Sequence, residues 1–310
     1  MSDTASSSEF APGSPPAPAS RRALLRWAAD ALEDAGRDEP YRTAEWLLID
    51  ILDCRRLDLH LEPDARVTAD AARAFGARVR RRAEGEPIQH ILGYDEFYGV
   101  RLAVTPDVLI PRPETEELVE RALDLLRDRE APRVLDVGTG SGCIALALAT
   151  ERPDARVAAC DVSAEALAVA RRNARRLDLD VRCFEADLFD AAFLDRVREE
   201  GGTGLDLLIS NPPYIPDAEI PHLPAIVREH DPEIALRAGD DPLRFYRQLA
   251  DEGREACAAG AILLVEAHAE YADDVAAVFR AAQWSDVRVE DDLAGRPRMV
   301  WGRCPPAPTP

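Results

Sequence analysis

Lysine is absent from this chain of 310 residues, so all 38 of its basic side chains are arginines. Acidic side chains number 58, and the formal net charge is −20. A field of this sign repels a nucleic-acid backbone at long range, which weighs against free DNA as the substrate. A GC-rich genome would explain the missing lysine, and an acidic, lysine-free surface would also suit a salt-rich cytoplasm. Both explanations stay open.

The cysteines and histidines lack the spacing of a cross-link or a metal site. Six cysteines are scattered without a C-x-x-C pair, and the five histidines have no metal-ligand spacing. We therefore expect reduced thiols, no metal ion and a cytoplasmic location. No run of about 18 apolar residues predicts a membrane span. The first twenty residues also lack the charged start and apolar centre of a secretory signal.

Composition and periodicity divide the chain into segments. Residues 1–20 are rich in Ser, Pro and Ala and predict a disordered tail, as do residues 304–310. Apolar residues at helical spacing predict a small all-helical domain over 21–88, with helices at 21–36, 40–54 and 69–84. This domain is either a simple scaffold or a module that docks a partner. The runs YDEFYG and VRLAV predict a β-hairpin inside a linker at 89–112.

Strands alternate with helices over residues 113–303. Short apolar runs such as VLDV, RVAACDV and LDLLIS are separated by helical patterns. This alternation predicts an α/β fold with a parallel sheet. Thr115, followed by two glutamates, is expected to open the first helix of this domain, since carboxylates stabilise a first turn.

A glycine-rich loop follows the first of these strands. Gly138, Gly140 and Gly142 lie between VLDV and a helix, so the backbone can turn tightly and approach a ligand closely. The helix start offers free N–H groups to a carboxylate or phosphate. A dinucleotide fingerprint would read G-x-G-x-x-G. Here the third glycine comes one residue early, before Cys143.

Two acidic residues follow the next two strands. Asp161 lies roughly twenty residues beyond the glycines, where a carboxylate binds ribose hydroxyls of either NAD or S-adenosylmethionine. The alternative is a helix N-cap, for which Ser163 competes. Asp187 follows the third strand and is expected beside the adenine, where it can accept from the amino group. The alternative is that Asp187 is a solvent-exposed acidic residue of a turn and does not bind a ligand.

The stretch SNPPY follows the buried strand LDLLIS. Two prolines stiffen the turn. It follows the carboxyl end of the strand, which is the edge at which open α/β sheets bind ligands. The side-chain oxygen of Asn211 and the carbonyl of Pro212 can each accept one N–H of an amide or amine. Such fixed acceptors would orient an NH₂ group toward an electrophilic methyl. Tyr214 would cover the flat face of the target.

These motifs carry a family resemblance. EPIQHILG, EFYG, VLIPRPETE, LDVGTGSGCIALALA and SNPPYI, in this order, closely resemble the bacterial peptide chain release factor N5-glutamine methyltransferases, the PrmC (HemK) family. The match runs from about Ala23 to Gly302. The resemblance implies a Rossmann-like class I methyltransferase domain with a mostly parallel seven-stranded sheet, joined by the hairpin to the helical domain. It also implies S-adenosyl-L-methionine as cofactor and the Gly-Gly-Gln glutamine of class I release factors as target.

The resemblance also implies roles for individual residues. The implied catalytic residues are Asn211, Pro212 and Tyr214, and the whole Asn211–Tyr214 turn, with Pro213, would bind substrate. The cofactor would be held by the following residues: Gly138, Thr139, Gly140, Ser141, Gly142, Asp161, Asp187, Leu188 and Asn211. The enzyme would act as a monomer, without direct contact to nucleic acid or membrane.

The chain departs from the family pattern at several positions. His90 stands where Tyr is common, Ala238 replaces a usual glycine, and Leu188 replaces an aromatic that packs on adenine. After the fifth strand, VEAHAEYADDV lacks the glycine and glutamine of E-x-G-x-x-Q. These changes concern the edges of the pockets and leave the reaction as expected.

Three other functions fit the residues less well. A methyltransferase for adenine N6 or guanine N2 would use the same turn on a flipped base, but the chain has no basic recognition segment. An NAD-dependent oxidoreductase is disfavoured by the glycine spacing and by NPPY. A non-enzymatic binding protein would have no use for the whole set of motifs.

Overall fold

The structure is a computed structural model, and it describes residues 14–16 and 19–305. The chain divides after Gly93 into two compact units. In the described part of the chain, no helix is long and apolar enough to cross a membrane. Most of the predicted N-terminal tail, and residues 306–310 of the C-terminal one, lie outside the described residues.

The first unit is a helical domain with one short two-stranded sheet. Its elements are β1 (Ala19–Ser20), α1 (Arg21–Asp34), α2 (Pro40–Leu52), α3 (Arg56–Leu61), β2 (Arg66–Val67), α4 (Ala69–Ala83) and α5 (Ile88–Leu92). The hydroxyls of Ser20 and Thr68 cap α1 and α4 by accepting backbone N–H bonds. The apolar faces of α1, α2 and α4 form one core, which includes Leu24, Leu32, Leu47, Phe75 and Val79.

Two parts of this unit differ from the sequence-based prediction. Ala19 and Ser20 pair antiparallel with Arg66 and Val67, and Ala19 is buried, so the tail ends before residue 19. The helix α5 occupies the start of the predicted hairpin linker, and the linker's first strand begins at Tyr94. Neither short segment has enough residues to present a readable period.

The second unit carries the sheet. Its first elements are β3 (Tyr94–Phe97), β4 (Val100–Ala103), α6 (Pro113–Leu125), β5 (Arg133–Val137), α7 (Cys143–Glu151), β6 (Arg156–Asp161), α8 (Ala164–Arg176), β7 (Arg182–Glu185), α9 (Phe193–Arg196) and β8 (Leu205–Ser210). The remaining ones are β9 (Ile215–Pro216), α10 (Ala225–His230), α11 (Glu233–Leu236), β10 (Arg237–Gly239), α12 (Arg244–Ala256), β11 (Cys257–Glu266), α13 (Ala272–Ala281), β12 (Ser285–Asp291) and β13 (Pro297–Arg303).

The seven-stranded sheet has the order β12-β13-β11-β8-β5-β6-β7. The five strands from β11 to β7 pair in parallel, whereas β13 runs antiparallel to both of its neighbours. The predicted α/β fold with a mostly parallel sheet is confirmed. Strand order reverses beside β5, so the loops after β5, β6 and β8 meet at one edge, the place where such sheets bind ligands.

Three details of this unit were predicted incompletely or wrongly. The strand β12, SDVRVED, was not assigned, because its side chains are half-buried or exposed and give a weak apolar pattern. Cys304 was placed in the tail, but it is buried, and its backbone bonds Gly260 and Ala261. The helix α6 begins at Pro113, so Thr115 lies inside its first turn and its side chain is buried.

The predicted hairpin is formed by β3 and β4.

Candidate active site

The glycine-rich loop is tied to the neighbouring strand. The backbone N–H groups of Gly138 and Thr139 both donate to the carbonyl of Cys160, at 2.9 and 3.0 Å. Gly138, Gly140 and Gly142 all have positive φ, at 72°, 56° and 85°. Residues with a Cβ rarely adopt this backbone region, so the loop needs glycine at each of these turns.

Asp161, at the end of β6, faces the same loop. One of its carboxylate oxygens accepts from the backbone N–H of Gly140 (2.8 Å), and the other accepts from that of Ser163 (2.9 Å). Burial raises the pKa of Asp161, while these backbone bonds lower it. Ser163 caps α8 through its own hydroxyl. The N-cap alternative for Asp161 is therefore excluded, and its carboxylate retains acceptor capacity toward the adjoining cleft.

This cleft lies over the carboxyl ends of the strands, and its empty space, including the part open to solvent, is about 870 Å³. Most of the predicted cofactor residues line it, namely Gly138, Gly140, Asp161, Asp187, Leu188 and Asn211. We call it the nucleoside cleft.

Three of the predicted cofactor residues do not line the nucleoside cleft. The side chain of Thr139 is buried and donates to Asp136 at 2.6 Å, while Ser141 is buried and its carbonyl accepts from Asn173 at 2.9 Å. Gly142 packs near Leu146. These residues hold the loop in place, and their contact with a cofactor stays a prediction.

An aromatic group that the sequence analysis missed lies beside Leu188. Phe245, in the first turn of α12, lines the nucleoside cleft. Its ring packs edge-on against Phe189 at 5.1 Å, and the guanidinium of Arg244 lies over both rings. The cleft therefore has an aromatic wall although position 188 is aliphatic. The sequence signal for it is the run Phe245-Tyr246-Arg247, whose first residue is this aromatic.

The NPPY turn separates the nucleoside cleft from a second cavity, whose empty space, including the part open to solvent, is about 590 Å³. Asn211 and Pro212 line both spaces, whereas Tyr214 lines only the second. The hydroxyl of Ser210 donates to the carbonyl of Val137 at 2.7 Å, which anchors the turn to β5. We call the second space the side cavity. The two cavities thus meet at the residues expected to bind the substrate amide.

The side-chain amide of Asn211 is held by α6. Its Nδ2 donates to the hydroxyl of Thr115 at 3.1 Å, and that hydroxyl donates to Glu266 at 2.7 Å. The hydroxyl of Tyr214 donates to the other oxygen of Glu266 at 3.3 Å. Sequence reasoning did not assign a role to Glu266, which ends β11 and is buried. Burial raises the pKa of Glu266, and it raises the pKa of Tyr214 as well.

Arg112 lines the side cavity, and three departures from the family pattern, at Ala238, His268 and Tyr271, lie near residues that line it. Arg112 forms an ion pair with the buried carboxylate of Asp231. His268 and Tyr271 stand where the family has glycine and glutamine. Their ring centroids lie 5.3 Å apart with tilted planes, and the ring centroid of His268 lies 5.9 Å from that of Tyr214. Ala238 is buried in β10, which pairs with β9 directly after NPPY.

No group of three or more His, Cys, Asp or Glu side chains that could hold a metal ion is found in residues 14–16 and 19–305. The chemistry that this arrangement supports is the orientation of a polar group by fixed acceptors. Asn211 and Pro212 line both the nucleoside cleft and the side cavity.

Comparison with known proteins gives consistent results. Residues 23–93 match the family model of the PrmC N-terminal domain, and residues 118–225 match the methyltransferase small domain. The chain is 40% identical to the release factor glutamine methyltransferase of Bacteroides thetaiotaomicron, over 89% of this chain and 98% of the relative. It is 42% identical to the protein of the same name from Nitratidesulfovibrio vulgaris, over 92% of this chain and 95% of the relative.

Proposed function

This chain belongs to the family of release factor glutamine methyltransferases, and on that premise we propose that it methylates the glutamine of the Gly-Gly-Gln motif in class I peptide chain release factors. The methyl group goes from S-adenosyl-L-methionine to the side-chain amide nitrogen, N5. The meeting of the two cavities at Asn211 and Pro212 is the observation that carries this proposal.

The nucleoside cleft fits S-adenosyl-L-methionine. Three aspartates line it, and two of them, Asp161 and Asp187, offer acceptors for ribose hydroxyls and for the adenine amino group. Leu188 and Phe245 offer an apolar and an aromatic surface for the flat base. When bound, the cofactor supplies a methyl group on a positively charged sulfur, which transfers in one in-line displacement.

The chain's own residues orient the amide. Its nitrogen is a poor nucleophile because its lone pair is shared with the carbonyl. The oxygen of Asn211 and the carbonyl of Pro212 each accept a hydrogen bond from one of its N–H groups, so the nitrogen is held in one direction. The same two acceptors stabilise the positive charge that develops as the nitrogen gives up its lone pair. The ring of Tyr214 covers the flat face of the glutamine side chain. The nitrogen becomes acidic once it is methylated, and its proton then leaves to water without a strong base.

The helical domain of residues 21–88 supplies the docking surface for the release factor in this proposal. It has exposed apolar side chains at Tyr41, Trp46, Leu57 and Leu61, a composition typical of interaction surfaces. The enzyme works as a monomer in the cytoplasm and does not contact nucleic acid directly. Its net charge of −20 supports the last point.

The experiment gives the purified enzyme S-adenosyl-L-methionine labelled in its methyl group. Four acceptors are compared: an intact release factor, its Gln→Ala variant in Gly-Gly-Gln, DNA and ribosomal RNA. Label on the wild-type factor alone is expected. Label on nucleic acid, or equal label on the variant factor, would contradict the proposal and make NPPY a turn that binds a base.

A further inference from the structure

A chain of hydrogen bonds connects Asn211 to a buried carboxylate. It runs from Nδ2 of Asn211 to Oγ1 of Thr115 (3.1 Å), and from Oγ1 to Oε2 of Glu266 (2.7 Å). Thr115 and Glu266 are buried, with 2% of each residue's surface exposed. The three residues come from α6, from the end of β11 and from the turn after β8, so the contact exists only in the folded unit.

The direction of each hydrogen bond follows from the chemistry of the groups. Both oxygens of Glu266 accept from hydroxyls, Oε2 from Thr115 and Oε1 from Tyr214, so the single hydrogen of the Thr115 hydroxyl goes to Glu266. The oxygen of Thr115 then has only lone pairs left, and it must accept from an N–H of Asn211. The oxygen of the Asn211 side chain is thereby turned away from Thr115. A flipped amide would place that oxygen against a hydroxyl with no hydrogen to give.

Other groups around Glu266 do not replace this connection. Tyr214 donates to its second oxygen at 3.3 Å, and Tyr246 donates to its backbone carbonyl at 3.1 Å. Arg298 is the cation whose field acts on Glu266, but its guanidinium is bonded to Asp292 and to the carbonyl of Ala267. A buried carboxylate without a direct cationic partner is costly to keep, so its retention calls for a role.

We propose that Glu266, acting through Thr115, is a positioning residue that fixes and polarises the side-chain amide of Asn211 for the acceptor role assigned to it in the proposed function. Glu266 and Thr115 do not touch the substrate. They decide which end of the Asn211 amide faces the reacting nitrogen.

The polarisation strengthens the acceptor when it is needed. Consecutive hydrogen bonds that end on a negative charge increase the electron density at the far end of the chain, here the oxygen of Asn211. Positive charge develops on the glutamine nitrogen during methyl transfer, and a stronger acceptor on its N–H stabilises that charge. The contribution therefore falls on kcat more than on cofactor binding.

The kinetic test compares Thr115→Val with Thr115→Ser. Valine keeps the shape of threonine but removes the hydroxyl, whereas serine keeps the hydroxyl. Because loss of orientation costs up to about a hundredfold, we expect Thr115→Val to lower kcat on the release factor by about tenfold to a hundredfold. The cofactor dissociation constant should stay within about twofold, and Thr115→Ser should recover most of the rate. A Val variant as active as the Ser variant would overturn the proposal.

A matched control and a double variant separate this effect from general damage. Thr150 also lies on a helix, and its hydroxyl donates only to the carbonyl of Leu146 in that helix. Thr150→Val should leave kcat unchanged. Glu266→Gln should lower kcat in the wild-type background and have a much smaller effect when Thr115 is already Val, because the connection is then broken. Equal effects in both backgrounds would show that Glu266 does not act through Thr115.

A measurement without catalysis tests the orientation directly. The sequence contains two asparagines, Asn173 and Asn211, so labelling asparagine with ¹⁵N gives two side-chain amide signals. Asn173 is bonded to the carbonyls of Ala103 and Ser141 and serves as the internal reference. In Thr115→Val, hydrogen exchange of the Asn211 amide should become at least about tenfold faster while that of Asn173 is unchanged. Unchanged exchange at Asn211 would overturn the proposal.

The two readouts also distinguish this inference from the proposed function. If the wild-type enzyme fails to label the release factor, the substrate assignment is wrong, and the exchange measurement still decides whether Thr115 orients Asn211. If the wild type labels the release factor and neither kcat nor exchange responds to Thr115→Val, the inference alone is wrong.

Discussion

In the proposed reaction, single side chains around NPPY act by holding the reacting groups in position, since no enzyme nucleophile or strong base is required. Asn211 offers its side-chain oxygen, and Pro212 offers its backbone carbonyl. The hydrogen bonds from Asn211 through Thr115 to Glu266 set the direction in which the Asn211 oxygen points. Such pre-set dipoles stabilise developing charge without any reorganisation of solvent.

Replacement of Asn211 by alanine should remove this acceptor and leave the nucleoside cleft nearly intact. We expect kcat/KM for the release factor to fall by at least about a hundredfold, which is the typical cost of losing one such group. The cofactor dissociation constant, measured by equilibrium dialysis, should change by less than about fivefold, since the other residues of the cleft remain. Full activity of Asn211→Ala would contradict the assigned role.

Asp136, below the glycine loop, makes stability depend on pH. Complete burial raises its pKa from 3.8 to about 7, although Thr139 donates to it. Between these two pKa values the folded state keeps a proton that the unfolded state releases, so this group's stabilising contribution is lost as pH rises from about 4 to 7.

The variant Asp136→Asn keeps an acceptor for Thr139 and cannot ionise. Its free energy of unfolding relative to the wild type should rise with pH across that window, by an amount on the order of 4 kcal/mol at most. Urea unfolding of both proteins at a series of pH values measures the difference. Parallel curves would contradict the prediction.

Among the elements, the glycine loop joins β5 to α7, and three of its glycines have a positive φ. Gly142 has the tightest surroundings of the three. A Cβ added there would lie 3.0 Å from a methyl group of Leu146 and 3.3 Å from that of Ala170. The start of α7 can therefore approach α8 only with glycine at this position.

Gly142→Ala should destabilise the second unit by about 1–3 kcal/mol and weaken cofactor binding, because it combines backbone strain with close contacts. The matched control is Gly295→Ala in the turn before β13, which has a φ of +76° and nothing within 4 Å of the added Cβ. Thermal unfolding and cofactor titration of both variants measure the effects. An equal loss of stability in the two would mean that packing at Gly142 contributes nothing.

For the whole molecule, the proposed division of work between the units can be tested on the first of them. Leu57 and Leu61, one turn apart on α3, are 57% and 68% exposed. Their replacement by serine should raise KM for the intact release factor by about tenfold, the cost of a modest interface contact. Methylation of a short Gly-Gly-Gln peptide should stay unchanged.

The control for this prediction is Leu293→Ser, which changes an equally apolar side chain that is 92% exposed in the second unit. Leu293→Ser should change neither the KM for the intact release factor nor the methylation of the short peptide. If the double variant on α3 binds the intact factor as well as the wild type does, this face of the helical domain does not dock it.

The charge of the whole molecule leads to a second prediction. With a net charge of −20, long-range repulsion opposes the compact state and is screened by salt. The melting temperature should therefore rise between about 0.05 and 1 M NaCl, where the screening length falls from more than 10 Å to about 3 Å. The same series in KCl separates ionic strength from the identity of the cation. A falling melting temperature would mean that the surface ion pairs outweigh the repulsion.

Much of the architecture could be predicted from local patterns. The grouping of Gly138, Asp161 and Asn211 is one example. Each follows a buried strand, and the carboxyl ends of parallel strands share an edge of the sheet, so the three residues are expected to lie together. The strand β12 was missed because half of its alternation faces solvent, and α5 was missed because five residues are too few to present a period. The aromatic wall at Phe245 was missed because the expected position, Leu188, is aliphatic.

The sequence by itself determined the alternation of strands and helices around the site, the glycine loop and the stiff turn at NPPY, because each depends on neighbouring residues and on backbone preferences. Only the tertiary structure decided which groups stand behind Asn211. Thr115 and Glu266 are 151 residues apart in the chain, and the hydrogen bond between them exists because α6 packs beside β11. No local period encodes such a contact, since it forms only when the sheet places the ends of β8 and β11 side by side.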